Sequence, residues 1–548
     1  MSRNRKTKFA PRLALLAALL GAVPALAVEL TTEPAAEPAA AAAPAPAAPA
    51  AAPAPGPAPA PGDKKPPEMS PGAQLTKHDD KAFRPGPSYA DKPYDVKAQE
   101  AIYGAKHLNP TTRPWVEWGR ALYDRGAYPP SPTWFGEKNP ASPNFRVYGD
   151  WRTAVAYNDN GKPNAKGVTD QSTIATRLNL DMDLGLTATE RIHAFVRPLD
   201  HDGQFTRYDL GGQNKGFEKA FDFNLETLFF EGDAGAIAMG LTGRENGVDL
   251  PFTFGMIPLF TQNGIWLNAG FVGGAFSLAA KNSRTLDVSN YDVTFFTGLD
   301  KVPTAAALAA GRKPTDHDAK VFGFTGFADA NRGYWEFGYG YVDAQFGGLS
   351  YHNATVAFSR RYGSLISNSV RVIENFGQHP DPGQAKTANG TLVLIENSLV
   401  TSNPTALVPY FNLFGGFGTP QALARAAGTG GVLVNTGINL ESDGLTGFPT
   451  LDDTARDSWG GALGVEYLFN LDRQIVVEVA TVQRTKDRDF ATGNQHAIGV
   501  RFQNPLNNSW ILRFDAMKGF RDDGRDASGL PTPVKDIFGV RLEIRHKF

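Results

Sequence analysis

The sequence contains no cysteine. That absence excludes a disulfide framework, a thiolate zinc site, a cysteine nucleophile and a lipid anchor on cysteine. Neither sign of charge dominates. The formal net charge is −2 over 548 residues, so no basic surface points to nucleic acid. Long hydrophobic runs are missing as well. Beyond the N-terminus no stretch offers about 20 apolar residues free of charge, so no further helix is expected to span a membrane. There is no Gly-x-Ser-x-Gly, no His-Glu-x-x-His and no glycine loop ending in Lys-Ser/Thr, the usual marks of hydrolases and phosphate binders.

What is present begins with a leader. Arg3, Arg5, Lys6 and Lys8 precede the apolar stretch 13–20, and Ala25-Leu26-Ala27 follows. A basic region, a short hydrophobic core and a small-residue cleavage site form a secretory signal peptide over 1–27. Residues 28–70 form an Ala/Pro-rich linker, expected to be disordered and extended. Such a tether could pass through the cell wall and contact peptidoglycan. Residues 71–144 read as a periplasmic segment with short helices or as a plug. Two helices are expected there, over 96–106 and 114–124. The second places Trp115, Trp118 and Leu122 on one side.

From residue 145 the hydrophobic period changes to two. Leu178, Leu180, Met182, Leu184 and Leu186 alternate with Arg177, Asn179, Asp181, Asp183 and Gly185. A helix would scatter the acids around its surface; a strand segregates them completely. Trp459, Leu463, Val465, Tyr467 and Phe469 oppose Ser458, Gly460, Ala462, Gly464 and Glu466 in the same way. One face is apolar with aromatics at its ends, and the other is small and charged. That is a transmembrane antiparallel β-barrel, apolar toward lipid and polar toward its lumen. Its span is 145–548. Long and short connections alternate along it. Counting them gives 18 strands, with 16 as the alternative if the weakest strand, over 271–281, is not one.

The last strand carries a resemblance. Val540, Leu542 and Ile544 share one face with Phe548, and Lys547, Arg545, Glu543 and Arg541 share the other. This resembles the C-terminal assembly signal of Gram-negative outer-membrane proteins, which ends in an aromatic residue. The chain is similar to outer-membrane porins as a broad class. Segments such as 174–186 are also similar to carbohydrate- or alginate-export barrels. The resemblance implies an outer-membrane location with the N-terminal segment in the periplasm. It implies contact with the bilayer, lipopolysaccharide and the outer-membrane assembly machinery, and passive diffusion of small polar solutes.

Candidate pore-lining residues follow from the polar face. The basic ones are Arg146, Arg152, Arg177, Arg191, Arg197, Arg371, Arg501 and Arg513, with Arg541 and Arg545 on the last strand. The acidic ones are Asp150, Asp181, Asp183, Glu226, Glu336, Glu466, Glu478 and Asp515, with Asp222 and Glu543. The two sets balance, which suits neither a phosphate channel nor a strongly cation-selective one. Some of these charges would simply pair across strands and fix register.

The connection over 244–270, after the fifth strand, is apolar for a loop. Porins fold a loop at that place into the lumen. Arg244, Glu245, Asn246, Asp249, Phe252 and Phe254 are therefore the expected constriction residues. Asp200-His201-Asp202 and Asp316-His317-Asp318 place imidazole beside carboxylate, but neighbours on one loop seldom reach one ion. No metal, cofactor or catalytic residue is expected. Two other functions fit the same pattern: a barrel enzyme acting on lipid or protein, and a structural anchor tethered to the wall. The oligomeric state is not legible.

Overall fold

The computed structural model describes residues 112–119 and 143–548, apart from 188, 202, 364, 427, 442–443 and 470–472. The leader, the linker and the expected helix over 96–106 lie outside these residues.

The alternation becomes a wall of antiparallel strands. A short strand, β1 (Val116–Trp118), precedes it. The wall opens with β2 (Asn144–Asp159) and β3 (Asp170–Gly185). The third wall strand has two pieces, β4 (Arg191–Val196) and β5 (Gln204–Gly212), and so does the fourth, β6 (Gly216–Glu218) and β7 (Leu225–Asp233). A helix, α1 (Ala234–Thr242), leads to β8 (Pro251–Thr261) and β9 (Leu267–Ser283). Then follow β10 (Val288–Asp300), β11 (Ala319–Ala330), β12 (Gly333–Ala344), β13 (Tyr351–Tyr362) and β14 (Ile366–Phe376). β15 (Asn389–Leu399), β16 (Leu407–Thr419), β17 (Ser458–Phe469) and β18 (Arg473–Arg484) continue the wall. β19 (Gln495–Pro505), β20 (Trp510–Arg521) and β21 (Ile537–Lys547) complete it. β21 pairs with β2, from Asp150–Lys547 to Asp159–Phe538. The sheet therefore closes into a barrel of 18 strands. Closure removes the free edges that a sheet in hydrocarbon cannot leave unpaired.

The outer face is apolar. Trp459, Leu463, Val465, Tyr467 and Phe469 are all exposed along β17, while Ser458, Gly460 and Ala462 between them are buried. Leu542 and Ile544 are exposed on β21, while Arg541 and Glu543 are buried. Tryptophan and histidine meet in a ring stack on the outside, Trp510 on His546 at 4.3 Å.

The strand count agrees with the sequence reading, but three segments differ. The alternation of short and long connections implies a fifth strand between a tight turn at 232–235 and the connection over 244–270, whereas residues 234–242 are helical. They form α1 because Asp233 caps it, accepting from the Ala236 amide at 2.6 Å. The second carboxylate oxygen of Asp233 accepts from the Leu250 amide at 2.8 Å and ties the following connection down.

Residues 251–261, expected within a loop, are the full wall strand β8, hydrogen-bonded to β7 and β9. β9 is 17 residues long, so the strand judged weakest is also the longest.

The third difference is at 114–124, where Val116–Trp118 is a strand and not a helix. It pairs with Phe145–Val147 of β2, where β21 has already ended. An unpaired edge thus overrides the local helical spacing. Trp115 stacks face to face on Phe548, 3.5 Å between ring centroids.

Candidate pore constriction

The lumen is not empty. The 38 residues of connection between β16 and β17, numbered 420–457, fold back inside the wall. Leu423, Leu433, Leu440 and Leu451 are each 1% exposed or less. The short connection 262–266, between β8 and β9, meets them, with Trp266 wholly buried. Together with inward side chains of the wall they form one apolar core.

Inward glycines make room for this packing. A Cβ on Gly338 or Gly340 would strike the Trp266 ring or Leu423, respectively. On Gly499 it would strike Asn439, and on Gly539 it would strike Phe448 and Pro449.

Polar bonds fix the two segments to the wall and to each other. Trp266 donates its indole N–H to Asn353 Oδ1 at 2.6 Å, and Asn353 donates to the Gln421 carbonyl at 2.9 Å. Tyr351 donates its hydroxyl to the Leu423 carbonyl at 3.0 Å. Arg425 is buried and donates to the carbonyls of Gly264 and Ile265 at 2.5 and 3.2 Å. Burial pulls its guanidinium down to about 10, so it remains charged at neutral pH. Burial pushes the Asp453 carboxyl up to about 6, while its Oδ2 accepts from the Gly431 amide at 2.7 Å.

Glu478 is the firmest anchor. Its carboxylate accepts from the amides of Ile438 and Asn439 and from Asn439 Nδ2, each at 2.9 Å, and from Tyr410 Oη at 2.5 Å. Four donors on one buried carboxylate are what its charge requires for burial.

The charged candidates gather on one side of the barrel. Asp515 receives Arg501 at 2.7 Å, Arg513 at 2.9 Å and Arg541 at 2.6 Å. Glu441 of the inward segment docks on Arg501 at 2.5 Å and Arg513 at 3.4 Å. Asp150 holds Arg152 at 2.6 Å and Arg545 at 2.9 Å. Arg177 and Arg197 flank Asp200 at 3.3 and 3.4 Å, and Arg197 also meets Glu226 at 2.8 Å.

Nearer the short-turn end, Tyr148 donates to Asp183 at 2.6 Å, and His193 lies 2.8 Å from Asp183 and 3.5 Å from Asp181. Arg191 pairs with Glu231 and lies 3.6 Å from Asp183.

A charged lane thus follows β19–β21 and continues through β2–β7. Across the lumen the inward side is mainly apolar. Besides Glu478, its charged groups include Arg371, 1% exposed, paired with Glu336 at 2.8 Å and donating to Gln262, with Glu396 nearby. Glu466 lies at the short-turn end of β17, and Arg146 lies at that end of β2, opposite Asp183 in register. A cavity of about 1090 Å³ opens among the turns at that end, lined by Arg284, Asp287, Asp329, Arg332, Tyr334 and Arg360.

The residues expected to constrict the lumen are elsewhere. Arg244, Glu245, Asn246 and Asp249 are exposed after α1, on the short-turn side. Phe252 and Phe254 sit on β8, their rings stacked at 6.2 Å beside Phe230 on the apolar face. Only the end of the expected segment, Gln262 to Trp266, turns inward.

Sequence reasoning missed the larger segment, 420–457. Its Leu/Val content at 423, 432–434 and 440 was the available signal, since so much apolar surface is not left in water. The two histidine loops hold no metal cluster among the described residues. His201 pairs with Asp222 and His317 with Asp300.

No family model matches the chain, and no curated protein matches it. Solved structures similar to it include OccK5 (OpdH) of Pseudomonas aeruginosa, at 10% identity and a TM-score of 0.46 over 74% of this chain and 98% of that one. OccK2 (OpdF) of the same organism gives 10% and 0.45 over 73% and 97%. Wzi of Escherichia coli, described as a carbohydrate-binding β-barrel involved in group 1 capsule assembly, gives 12% and 0.41 over 73% and 84%. By its own strand pairing and its apolar outer face, the chain is a closed 18-stranded antiparallel barrel of the outer-membrane type, with two inward segments across its lumen.

Proposed function

We propose that the protein is an outer-membrane channel for passive diffusion of small polar solutes. The observation that carries this reading is the charged lane beside the inward segments. Arginines and carboxylates alternate along it within ion-pair distance, as at Asp515, Asp150 and Asp200. A barrel built only for strength has no need of charge on its inner face, because buried pairs contribute little net stability. Water and small polar solutes are the natural content of such a lane. The pore-lining set is then Asp150, Arg152, Arg177, Arg197, Glu226, Arg501, Arg513 and Asp515. Asp181, Asp183, Arg191, Arg146 and Glu466 serve the short-turn mouth. Glu336, Arg371 and Glu478 hold the constriction rather than the lane.

Transport is diffusive and nothing is turned over. The outer face meets lipid and lipopolysaccharide. Phe548, Ile544, Leu542 and Val540 engage the assembly machinery, and the linker reaches toward peptidoglycan.

The test is single-channel recording on the refolded chain in planar bilayers. Discrete current steps are expected. Selectivity between potassium and chloride should be weak, because the lane carries both signs in near balance. A bilayer that stays silent with correctly folded protein overturns the reading.

A further inference from the structure

Two distant parts of the chain meet end to end on one edge of β2. Phe548 exchanges both backbone hydrogen bonds with Gly149, at 2.9 and 3.1 Å. Two positions further along β2, Val147 faces Val116, and Arg146 and Phe145 face Glu117 and Trp118. β21 and β1 are both antiparallel to β2. Trp115 therefore stands directly after Phe548, and β1 continues the line of β21 without a covalent link. β2 and β3 run on together to Asn144–Gly185, so without β1 residues 144–148 would present a bare edge at the short-turn rim.

The side chains match along this joint. Trp115 lies flat on the Phe548 ring at 3.5 Å, and His546 stands beside that ring at 5.8 Å. Glu117 is opposite Arg146, an acid facing a base. Thr112 donates to the Asn508 carbonyl at 3.1 Å, which holds the start of the segment against the neighbouring turn.

The segment nevertheless sits half outside. Trp115, Val116 and Trp118 are 52%, 44% and 61% exposed, whereas Phe548 beneath them is 6% exposed. A three-residue ladder and one ring stack hold it, while β21 pairs with β2 from Asp150–Lys547 to Asp159–Phe538. So short a contact opens far more readily than the wall beside it.

We propose that residues 112–118 are a releasable clasp over a strand-addition site, and that this site takes an extended segment of a periplasmic protein. The short-turn end of an outer-membrane barrel faces the periplasm. A bare strand edge pairs with an extended chain through the backbone, and the side chains along it choose which chain. This edge asks for an aromatic ring on Phe548, an apolar residue beside Val147, an acid opposite Arg146 and a large apolar residue beside Phe145. The clasp, Trp-Val-Glu-Trp over 115–118, is the chain's own example of that pattern. Its release leaves the barrel closed, because the ladder between β21 and β2 does not pass through β1. The site needs only the folded barrel, so a silent conductance assay would leave it standing.

The missing cysteine makes the test clean. In the full chain, Val116→Cys with Val147→Cys sets two thiols opposite each other in the ladder, within disulfide reach. Oxidation locks the clasp and reduction frees it. A second variant, Trp115→Ala with Val116→Pro, removes the ring stack and puts proline in the short strand, so the clasp stays off. The probe is a fluorescent peptide of residues 112–118, Thr-Arg-Pro-Trp-Val-Glu-Trp, added to refolded protein in detergent micelles. Heat-modifiable migration on gels verifies that each barrel is folded. The tethered clasp competes with the peptide at an effective concentration of about 1 mM. Binding should therefore be at least about tenfold tighter to W115A/V116P than to the parent, and absent from the oxidised cysteine pair. A peptide with alanine in place of both tryptophans should not bind. Equal affinity for the unclasped, parent and locked proteins, or no binding to folded W115A/V116P, overturns the proposal. Disulfides between chains, when V116C and V147C are refolded together as separate single variants, overturn it in favour of clasps exchanged between two barrels.

Discussion

Glu478→Ala is the sharpest perturbation of the constriction. The carboxylate holds residues 438 and 439 through three bonds at 2.9 Å and the wall through Tyr410. It is itself 1% exposed. Alanine leaves two amide N–H groups without their acceptor, and the Asn439 side-chain amide with only the residue 478 carbonyl, at 3.3 Å. Bonds to a charged acceptor are worth about 1.5–3 kcal/mol each, and the deprived donors remain buried. Removing one partner from such a site costs about 3–5 kcal/mol. If the segment opens locally, exchange of the Ile438 and Asn439 amides should accelerate by roughly 10²- to 10³-fold. The wall strands β16–β18 should keep their protection, because their ladders do not pass through this carboxylate. Conductance should rise in parallel as the segment leaves the lane. Tyr410→Phe removes only the wall-side bond and should change exchange by less than about tenfold. Unchanged exchange at both amides in E478A would refute the claim that this carboxylate pins the constriction.

Other outcomes follow from the same contacts. The raised Asp453 carboxyl, at about 6, means that the folded segment holds a proton that an ordinary aspartate would lose near pH 4. Packing of 420–457 therefore gains roughly 3 kcal/mol as pH falls from above 6 to about 4, and loses it as pH rises through 6. Conductance should be lower near pH 5 than near pH 7.5, and Asp453→Asn should flatten that dependence. Trp115→Ala uncovers Phe548, now 6% exposed, and should lower stability by about 2 kcal/mol. A urea midpoint equal to that of the parent would argue against the clasp. Deleting 244–249 should leave conductance unaltered. Gly340→Val drives a side chain into Leu423 and should increase conductance by loosening the inward segment.

Legibility in the sequence was uneven. Strand existence and face were plain wherever alternation was strict. Along β17 and β21 each residue faces the side that its neighbours imply, because a strand allows only two sides. The connection 244–270 misled for a physical reason. Two consecutive apolar stretches, 251–261 and 267–283, lack strict alternation, since their inward faces pack on the core and not on water. Phe252 and Phe254 were apolar because they face lipid. Asp233 in turn looked like a turn residue, and only its bond to Ala236 shows a cap.

The sequence by itself determined that the chain forms a large transmembrane barrel of 18 or 16 strands and which residues alternate onto its polar face. Those properties are local and periodic, so they survive without knowledge of distant contacts. The tertiary structure alone decided what occupies the lumen. Trp266 finds Asn353 across 87 residues, and Arg501 finds Glu441 across 60. It also decided where a ladder ends, as between β7 and β8 at Leu228–Met256, because that is a relation between two strands and not a property of either one. The missing cysteine and the near-zero net charge excluded other classes of protein. The inward glycines, which read at first only as small residues on a polar face, turned out to be the seats of the segment that fills the pore.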